Sequence, residues 1–391
     1  IIRAEGNLTS GDAHIAVNSE KLLRIGLSGY LKELELAEKS LLNSDKDLSK
    51  KKDFYKALRI GIESFQTFIR RFEKLASDLS RSEADGTRRA ELERISENCR
   101  NISLNPPSGF YEALQLVWFI QLVLQIESNG HSVSLGRMDQ YLWKFFRDDL
   151  STGRISREFA LELLENTWLK LLSVNKIRSW SHTRFSAGGP LYQNVTIGGQ
   201  TLDGEDAVND LSFLILDSVG RMKLTQPNLS VRFHKNIDPE FLNQCVNVIG
   251  KGFGMPAFNN DEIVIPSLIR IGVAREDAYN YSAIGCIEIA VPGKWGYRCT
   301  GMSFLNFMRV FLAAMNDGLD TMTGKTFFPG KGNFVDFENF HELMASWKQQ
   351  VQLFAKATVE IDTAVDLALE ELVPDILCSA FVDDCIARGK T

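Results

Sequence analysis

The stretch Ile269-Arg270-Ile271-Gly272-Val273-Ala274-Arg275-Glu276-Asp277-Ala278-Tyr279-Asn280-Tyr281-Ser282-Ala283-Ile284-Gly285-Cys286-Ile287-Glu288-Ile289-Ala290 opens as a helix and closes as an extended run. Its last ten residues, 281–290, read as one strand. Side chains at i and i+2 of a strand point the same way, so the Cys286 thiol and the Glu288 carboxylate are expected on one face. A sulfur-centred reagent beside a general base is a catalytic arrangement. The plainer alternative is a buried cysteine next to a surface glutamate, because free cysteine is commonly core.

The flanking sequence decides between them. Upstream stands Pro256-Ala257-Phe258-Asn259-Asn260-Asp261, and downstream come Pro292-Gly293-Lys294 and Phe304-Leu305-Asn306-Phe307. Earlier blocks are Ile126-Glu127-Ser128-Asn129-Gly130-His131-Ser132-Val133-Ser134-Leu135-Gly136-Arg137-Met138-Asp139-Gln140 and Pro190-Leu191-Tyr192-Gln193-Asn194-Val195-Thr196-Ile197-Gly198-Gly199. In this order the blocks closely resemble the glycyl radical enzymes, the superfamily of pyruvate formate-lyase, glycerol and diol dehydratases and choline lyase. The resemblance runs from about His14 to the last residue.

Periodicity gives the organisation. Residues 19–80 carry apolar side chains at threes and fours, as in Tyr55, Leu58, Ile62, Phe65, Ile69 and Phe72, which predicts helix. The Arg- and Glu-rich run 80–100 continues as a solvated helix. Leu114–Ile126 is apolar but interrupted by Gln115, Gln121 and Gln125, too short to span a bilayer comfortably, and it reads as a core helix with Ser108 as N-cap. From 134 onward, helices at 139–149, 156–174, 204–220, 238–251 and 267–272 alternate with strands at 193–197, 228–234 and 281–290. Such alternation predicts an α/β layout with parallel strand pairs. A long helix returns at 338–372. With no repeat or linker, residues 1–391 are expected to be part of one domain, a helical layer over about 1–133 followed by an α/β half-barrel over about 134–391. The resemblance implies a barrel of two half-sheets wrapped by helices, with the cysteine loop at its centre.

The chain has 391 residues, 44% apolar and 24% charged, with net charge −6, enough for a large core. Mild acidity without a basic block argues against nucleic acid as a partner, and no segment calls for a membrane. Six cysteines without a CxxC pair or secreted-type framework fit a reducing cytosol, hence a cytoplasmic protein, and no metal site is expected. Cys378 and Cys385, seven apart, would share one helix face and serve packing. Arg137 and Asp139 are expected to form a local structural ion pair.

The resemblance also implies a chemistry. In the family a glycine backbone radical takes a hydrogen atom from the loop cysteine, and the thiyl radical then attacks an unactivated C–H bond of a small-molecule substrate. Cys286 matches that cysteine, and Glu288 matches the base of the eliminating members. His131 and Ser132 match a loop lining the substrate site, or else they serve an Asn-Gly turn and a cap. His14 falls where diol and glycerol dehydratases place a substrate-contacting histidine, although a lone histidine is more often structural. Thr300 stands where glycerol-type enzymes carry an acid, which weakens a plain glycerol or propanediol assignment. Arg298 would face an anionic substrate group or else lie on the surface; Arg184 and His182 are weaker candidates of that kind.

Acyl transfer as in pyruvate formate-lyase needs adjacent cysteines, and Ile287 follows Cys286, so a lyase or dehydratase is favoured, cleaving a C–O or C–C bond. Formate acetyltransferase activity and a non-catalytic scaffold remain the alternatives. The resemblance further implies no tightly bound cofactor, an activating enzyme using S-adenosylmethionine and an iron–sulfur cluster, oxygen sensitivity and a homodimer. The family's radical glycine sits in an Arg-Val-x-Gly-Tyr segment, and none follows Glu288. The run Arg24-Ile25-Gly26-Leu27-Ser28-Gly29-Tyr30 lies at the wrong end. Both ends read as cuts through a longer protein, and this polypeptide alone is expected to be inactive.

Overall fold

A computed structural model describes residues 2–4, 14–43, 46–128, 132–176, 180, 183, 191–296, 303–372 and 374–391. The chain falls into two compact units. The larger comprises Gly11–Ile177, Gly189–Arg298 and Asp375–Thr391, and the smaller comprises Ile1–Ser10, Arg178–Gly188 and Cys299–Pro374.

In the larger unit the amphipathic N-terminal pattern forms helices α1 (Ser19–Lys39), α2 (Leu48–Ser82) and α3 (Gly86–Ile102), and the apolar run forms α4 (Phe110–Ser128). The α4 helix is apolar nearly all round and mostly buried, with Tyr111, Gln115, Trp118 and Leu122 partly covered and Ile126 exposed along one face. Its first turn is not capped by Ser108. The Asp149 carboxylate, distant in sequence, accepts from Phe110 N–H at 2.7 Å, and Glu112 reaches back to Ser108 N–H at 2.6 Å. Among the described residues no helix is long and apolar enough to cross a membrane.

A parallel four-stranded sheet follows: β1 (Gly136–Arg137), β2 (Asn194–Gly198), β3 (Asn228–Phe233) and β4 (Ala257–Asn260), in that spatial order. Helices Arg157–Leu172, Asp210–Met222 and Pro239–Ile249 lie between the strands in sequence, so the unit is α/β, with a parallel sheet surrounded by helices. Val195, Ile197, Leu229 and Val231 point from the two central strands into the main apolar core. The alternate positions Asn194, Thr196, Ser230 and Arg232 are polar yet fully buried. Burial of both faces is what a parallel sheet requires, and here the second face is covered by the cysteine segment.

That segment departs from the expected single strand. Residues 281–290 fold back as a hairpin, β5 (Ser282–Ile284) pairing antiparallel with β6 (Glu288–Ala290), with Ile284 opposite Glu288. The turn is Gly285-Cys286-Ile287, and Gly285 has φ +57, which glycine tolerates without strain. Three-residue hairpin loops with a left-handed residue are a common connection.

Two further expectations change. Cys378 and Cys385 lie on separate short helices, Ile376–Ala380 and Asp383–Arg388, because the chain turns between them; both pack against the core. Arg137 and Asp139 do not close on each other. The Arg137 guanidinium donates to the carbonyls of Tyr279, Gly198 and Gln200, while Asp139 accepts from Gly198 N–H and the Ser212 hydroxyl. The buried ion pair of this region is Arg232–Asp261.

In the smaller unit, Ile2–Ala4 pairs antiparallel with Ser303–Leu305. Helix Phe307–Met315, capped by Asn306 accepting from Arg309 N–H, packs on the long helix Phe340–Leu372 around Val310, Ala313 and Phe354.

Candidate active site

The hairpin lies over the polar face of the sheet and is held by Asn194, Thr196, Asn228 and Arg232 of the strands and by Ser134, while the Ser230 hydroxyl on the same face has no hydrogen-bond partner among the described residues. Ala283 N–H donates to Thr196 Oγ1 at 3.0 Å, and Gly285 N–H donates to Ser134 Oγ at 3.0 Å. Asn194 Nδ2 donates to the carbonyls of Gly285 and Cys286 at 3.2 and 3.3 Å, and Asn228 Nδ2 donates to the Gly285 carbonyl at 3.2 Å. Below, Arg232 Nη1 donates to the carbonyls of Tyr279 and Tyr281, and its guanidinium lies 4.0 Å from the Tyr281 ring centroid. The turn is therefore gripped at its backbone, leaving Cys286 exposed at the tip.

Glu288, first residue of the return strand, turns its carboxylate back over the turn, where Oε2 accepts from Ile287 N–H at 3.1 Å. A Cβ on Gly285 would stand 2.8 Å from that oxygen and 2.9 Å from Ser132 Oγ. Glycine is what lets carboxylate and hydroxyl converge on the turn. Ser132, itself in the left-handed region at φ 77, is fixed by its N–H donating to the Leu191 carbonyl at 2.7 Å. Its hydroxyl is buried and has no hydrogen-bond partner among the described residues.

His14 enters through the segment preceding α1. Ser134 N–H donates to the Ile15 carbonyl at 2.9 Å, Ala16 bridges Ser134, and Ala16 packs with Ile284 and Ala290 of the hairpin. The imidazole is 2% exposed, and burial lowers its pKa to about 4 although the Glu288 carboxylate raises it. At neutral pH His14 is an uncharged donor and acceptor beside Glu288.

The thiol is shifted the other way. Cys286 as a residue is exposed, yet packing around its sulfur raises its pKa, and Glu288 raises it further. A thiolate nucleophile needs the opposite, a cation or helix N-terminus nearby. This site keeps sulfur as S–H. Tyr192, at φ 51, flanks it closely enough that its own pKa is raised, by burial first and by Cys286 second.

The structure thus brings together Cys286, Glu288, His14 and Ser132. The first pair meets through the hairpin rather than through a shared strand face. His131, Arg298 and Thr300 lie outside the described residues, as do His182 and Arg184. Sequence reasoning missed Asn194, Asn228, Ser134, Thr196 and Tyr192. Asn194, Thr196 and Asn228 alternate with apolar residues along β2 and β3, the same pattern a water-facing strand would carry, and Ser134 and Tyr192 lie outside the strands with no such signal. Among the described residues no group of histidine, cysteine and acidic side chains can hold a metal ion.

A parallel sheet surrounded by helices is the fold shared by the glycyl radical enzymes among the solved structures. The chain belongs to the pyruvate formate lyase-like family, whose model matches residues 1–391. It is 55% identical over 398 residues to the probable dehydratase YbiW of Escherichia coli (strain K12), an alignment covering 100% of this chain and 49% of that protein. It is 33% identical over 382 residues to the (2S)-3-sulfopropanediol dehydratase of Klebsiella oxytoca, covering 97% of this chain and 46% of the relative. The glycerol-bound B12-independent glycerol dehydratase of Clostridium butyricum superposes with a TM-score of 0.94 at 36% identity, over 100% of this chain and 49% of that one. The chain spans about half the length of the curated relatives it matches.

Proposed function

We propose that this chain supplies the thiol and base of a glycyl radical lyase, a dehydratase that eliminates water or a comparable group from a small hydroxylated substrate. The observation that carries the reading is the Cys286–Glu288 turn, with a raised thiol pKa and two further polar side chains, His14 and Ser132, converging on it. Dehydratases among the relatives, one of them named for a sulfonated diol, support the same class and a substrate bearing an anionic group.

A glycyl radical borne outside residues 1–391, installed by an S-adenosylmethionine-dependent activating enzyme, supplies the acceptor for one hydrogen atom. Cys286 gives up its S–H hydrogen atom and, as a thiyl, takes one from the substrate C–H bond. Glu288 receives the proton of the substrate hydroxyl on the radical carbon, which leaves a ketyl, and passes that proton to the neighbouring hydroxyl as it departs, so that water leaves and the carboxylate is restored. His14, neutral, and Ser132 hold the substrate hydroxyls by hydrogen bonds. Returning the hydrogen atom from sulfur to the product radical regenerates the thiyl. A protonated thiol suits this work because a hydrogen atom, not a proton, is moved. One thiol in the turn, followed by Ile287, argues against acyl transfer.

The test uses the full-length gene product, activated anaerobically with its activating enzyme and S-adenosylmethionine and offered small diols and sulfonated diols. Oxygen-sensitive turnover that C286S and E288Q both abolish is expected. Persistent turnover in either variant refutes the role given to that residue.

A further inference from the structure

The strands beneath the turn carry a feature that the reaction itself does not use. Asn194 and Asn228 open β2 and β3 and stand opposite each other in the parallel register. Their side-chain amides make three bonds to two successive carbonyls of the turn, those of Gly285 and Cys286, at 3.2 to 3.3 Å. The orientation of the Asn228 amide follows from backbone chemistry. Gln193 N–H, which can only donate, gives its hydrogen to Gln226 Oε1 at 3.1 Å. Gln226 therefore presents Nε2 to Asn228, whose Oδ1 accepts it at 3.2 Å, and this turns Asn228 Nδ2 toward the Gly285 carbonyl. Asn194 is fully buried, and its Oδ1 has no partner among the described residues. An amide kept in a dry site for one set of bonds is costly unless those bonds matter.

We infer that Asn194 and Asn228 are positioning residues for Cys286: two opposed amides that hold the turn's carbonyls and fix where the thiol stands during hydrogen-atom transfer. The assignment rests on the reading of Cys286 as the hydrogen-transfer thiol. Neither amide touches sulfur, and neither gives or takes a proton in the reaction. Hydrogen-atom transfer is short-ranged, so a turn free to shift by an ångström loses rate without losing its reactive group.

The test needs no substrate. In activated full-length protein transferred anaerobically to D2O, the thiol becomes S–D. One deuterium atom passes from sulfur to the glycine radical carbon and one hydrogen atom returns, with no net oxidation. The glycyl EPR doublet then collapses as the α-hydrogen is replaced. N194L, N228L and the near-isosteric N228D are compared with wild type and with C286S. Radical amplitude near wild type with collapse slowed at least about tenfold is expected in the asparagine variants. Collapse at the wild-type rate in all three overturns the assignment, as does loss of radical amplitude in step with loss of folded protein, which would make the amides purely structural. Collapse that continues in C286S overturns the reading of Cys286, and the assignment with it.

Discussion

Arg232 and Asp261 meet through two hydrogen bonds of 2.8 Å, Nε to Oδ1 and Nη2 to Oδ2, with neither side chain exposed. The pair joins β3 to the first turn of helix Asp261–Arg270 and also captures the approach to the cysteine turn. Tyr281 Oη donates to Asp261 Oδ1 at 2.6 Å, while Arg232 donates to the Tyr279 and Tyr281 carbonyls. Breaking a buried pair on one side leaves an uncompensated charge, so R232M is expected to destabilise the protein by roughly 3–5 kcal/mol in denaturant unfolding. R232M/D261L should recover part of that loss. A double variant less stable than R232M would show that the other Asp261 contacts, from the Tyr281 hydroxyl and from Gln200 N–H at 3.0 Å, matter more than the ion pair.

The raised pKa of Cys286 predicts its alkylation behaviour. Iodoacetamide reacts with thiolate, so labelling of Cys286, followed by peptide mass spectrometry, should be slow at neutral pH. Its midpoint should lie above that of an ordinary thiol. E288Q removes the second cause and leaves the first, burial, so the midpoint should fall without reaching the ordinary value. Labelling of the wild type at an ordinary thiol's midpoint would remove the argument that sulfur is held as S–H.

His14 makes stability depend on pH in a definite window. Its folded pKa, about 4, lies below the unfolded value near 6.5, so protons favour the unfolded chain. The stability linked to a neutral His14 is complete above about pH 6.5 and is lost as pH falls toward 4, by on the order of 3 kcal/mol in all. H14Q should show a correspondingly shallower loss of stability between pH 6.5 and 4, read from urea midpoints along the series. Parallel curves for the two proteins would mean that the imidazole is not held neutral by burial.

The helices were legible wherever one apolar stripe met one core. The pattern over 19–80 became α1 and α2, interrupted between Lys39 and Leu48, and the run 338–372 became Phe340–Leu372. Strands β2 and β3 fell within a residue of their expected limits. The hairpin was not legible, because Tyr281–Ala290 has the same composition whether it runs straight or turns at Gly285. Only a positive φ distinguishes the two, and glycine permits but does not require it. Nor could sequence show that Asn194, Thr196 and Asn228 face a second backbone instead of solvent. Period-two polarity is the signature of a wet face, and here the hairpin takes the place of water. Cys286 and Glu288 were found by resemblance, and the geometry joining them belongs to tertiary structure.

Gly285 offers the sharpest separation of conformation from contact. Alanine there must adopt φ +57, a left-handed conformation that costs a side-chain-bearing residue roughly 1–2 kcal/mol. Its methyl group would also stand 2.8 Å from Glu288 Oε2 and 2.9 and 3.0 Å from the Ser132 hydroxyl oxygen and Cβ. Gly272 provides the control. It has φ +98, and a Cβ added there meets nothing within 4 Å, so G272A carries conformational strain alone. Both variants should lose stability by about 1 kcal/mol or more, with G285A losing more. Only G285A should displace the carboxylate and hydroxyl from the thiol, and so lose turnover in the activated full-length protein. If G285A and G272A match in both denaturant midpoint and turnover, Glu288 and Ser132 do not depend on the bare face of Gly285, and their convergence on Cys286 has another cause.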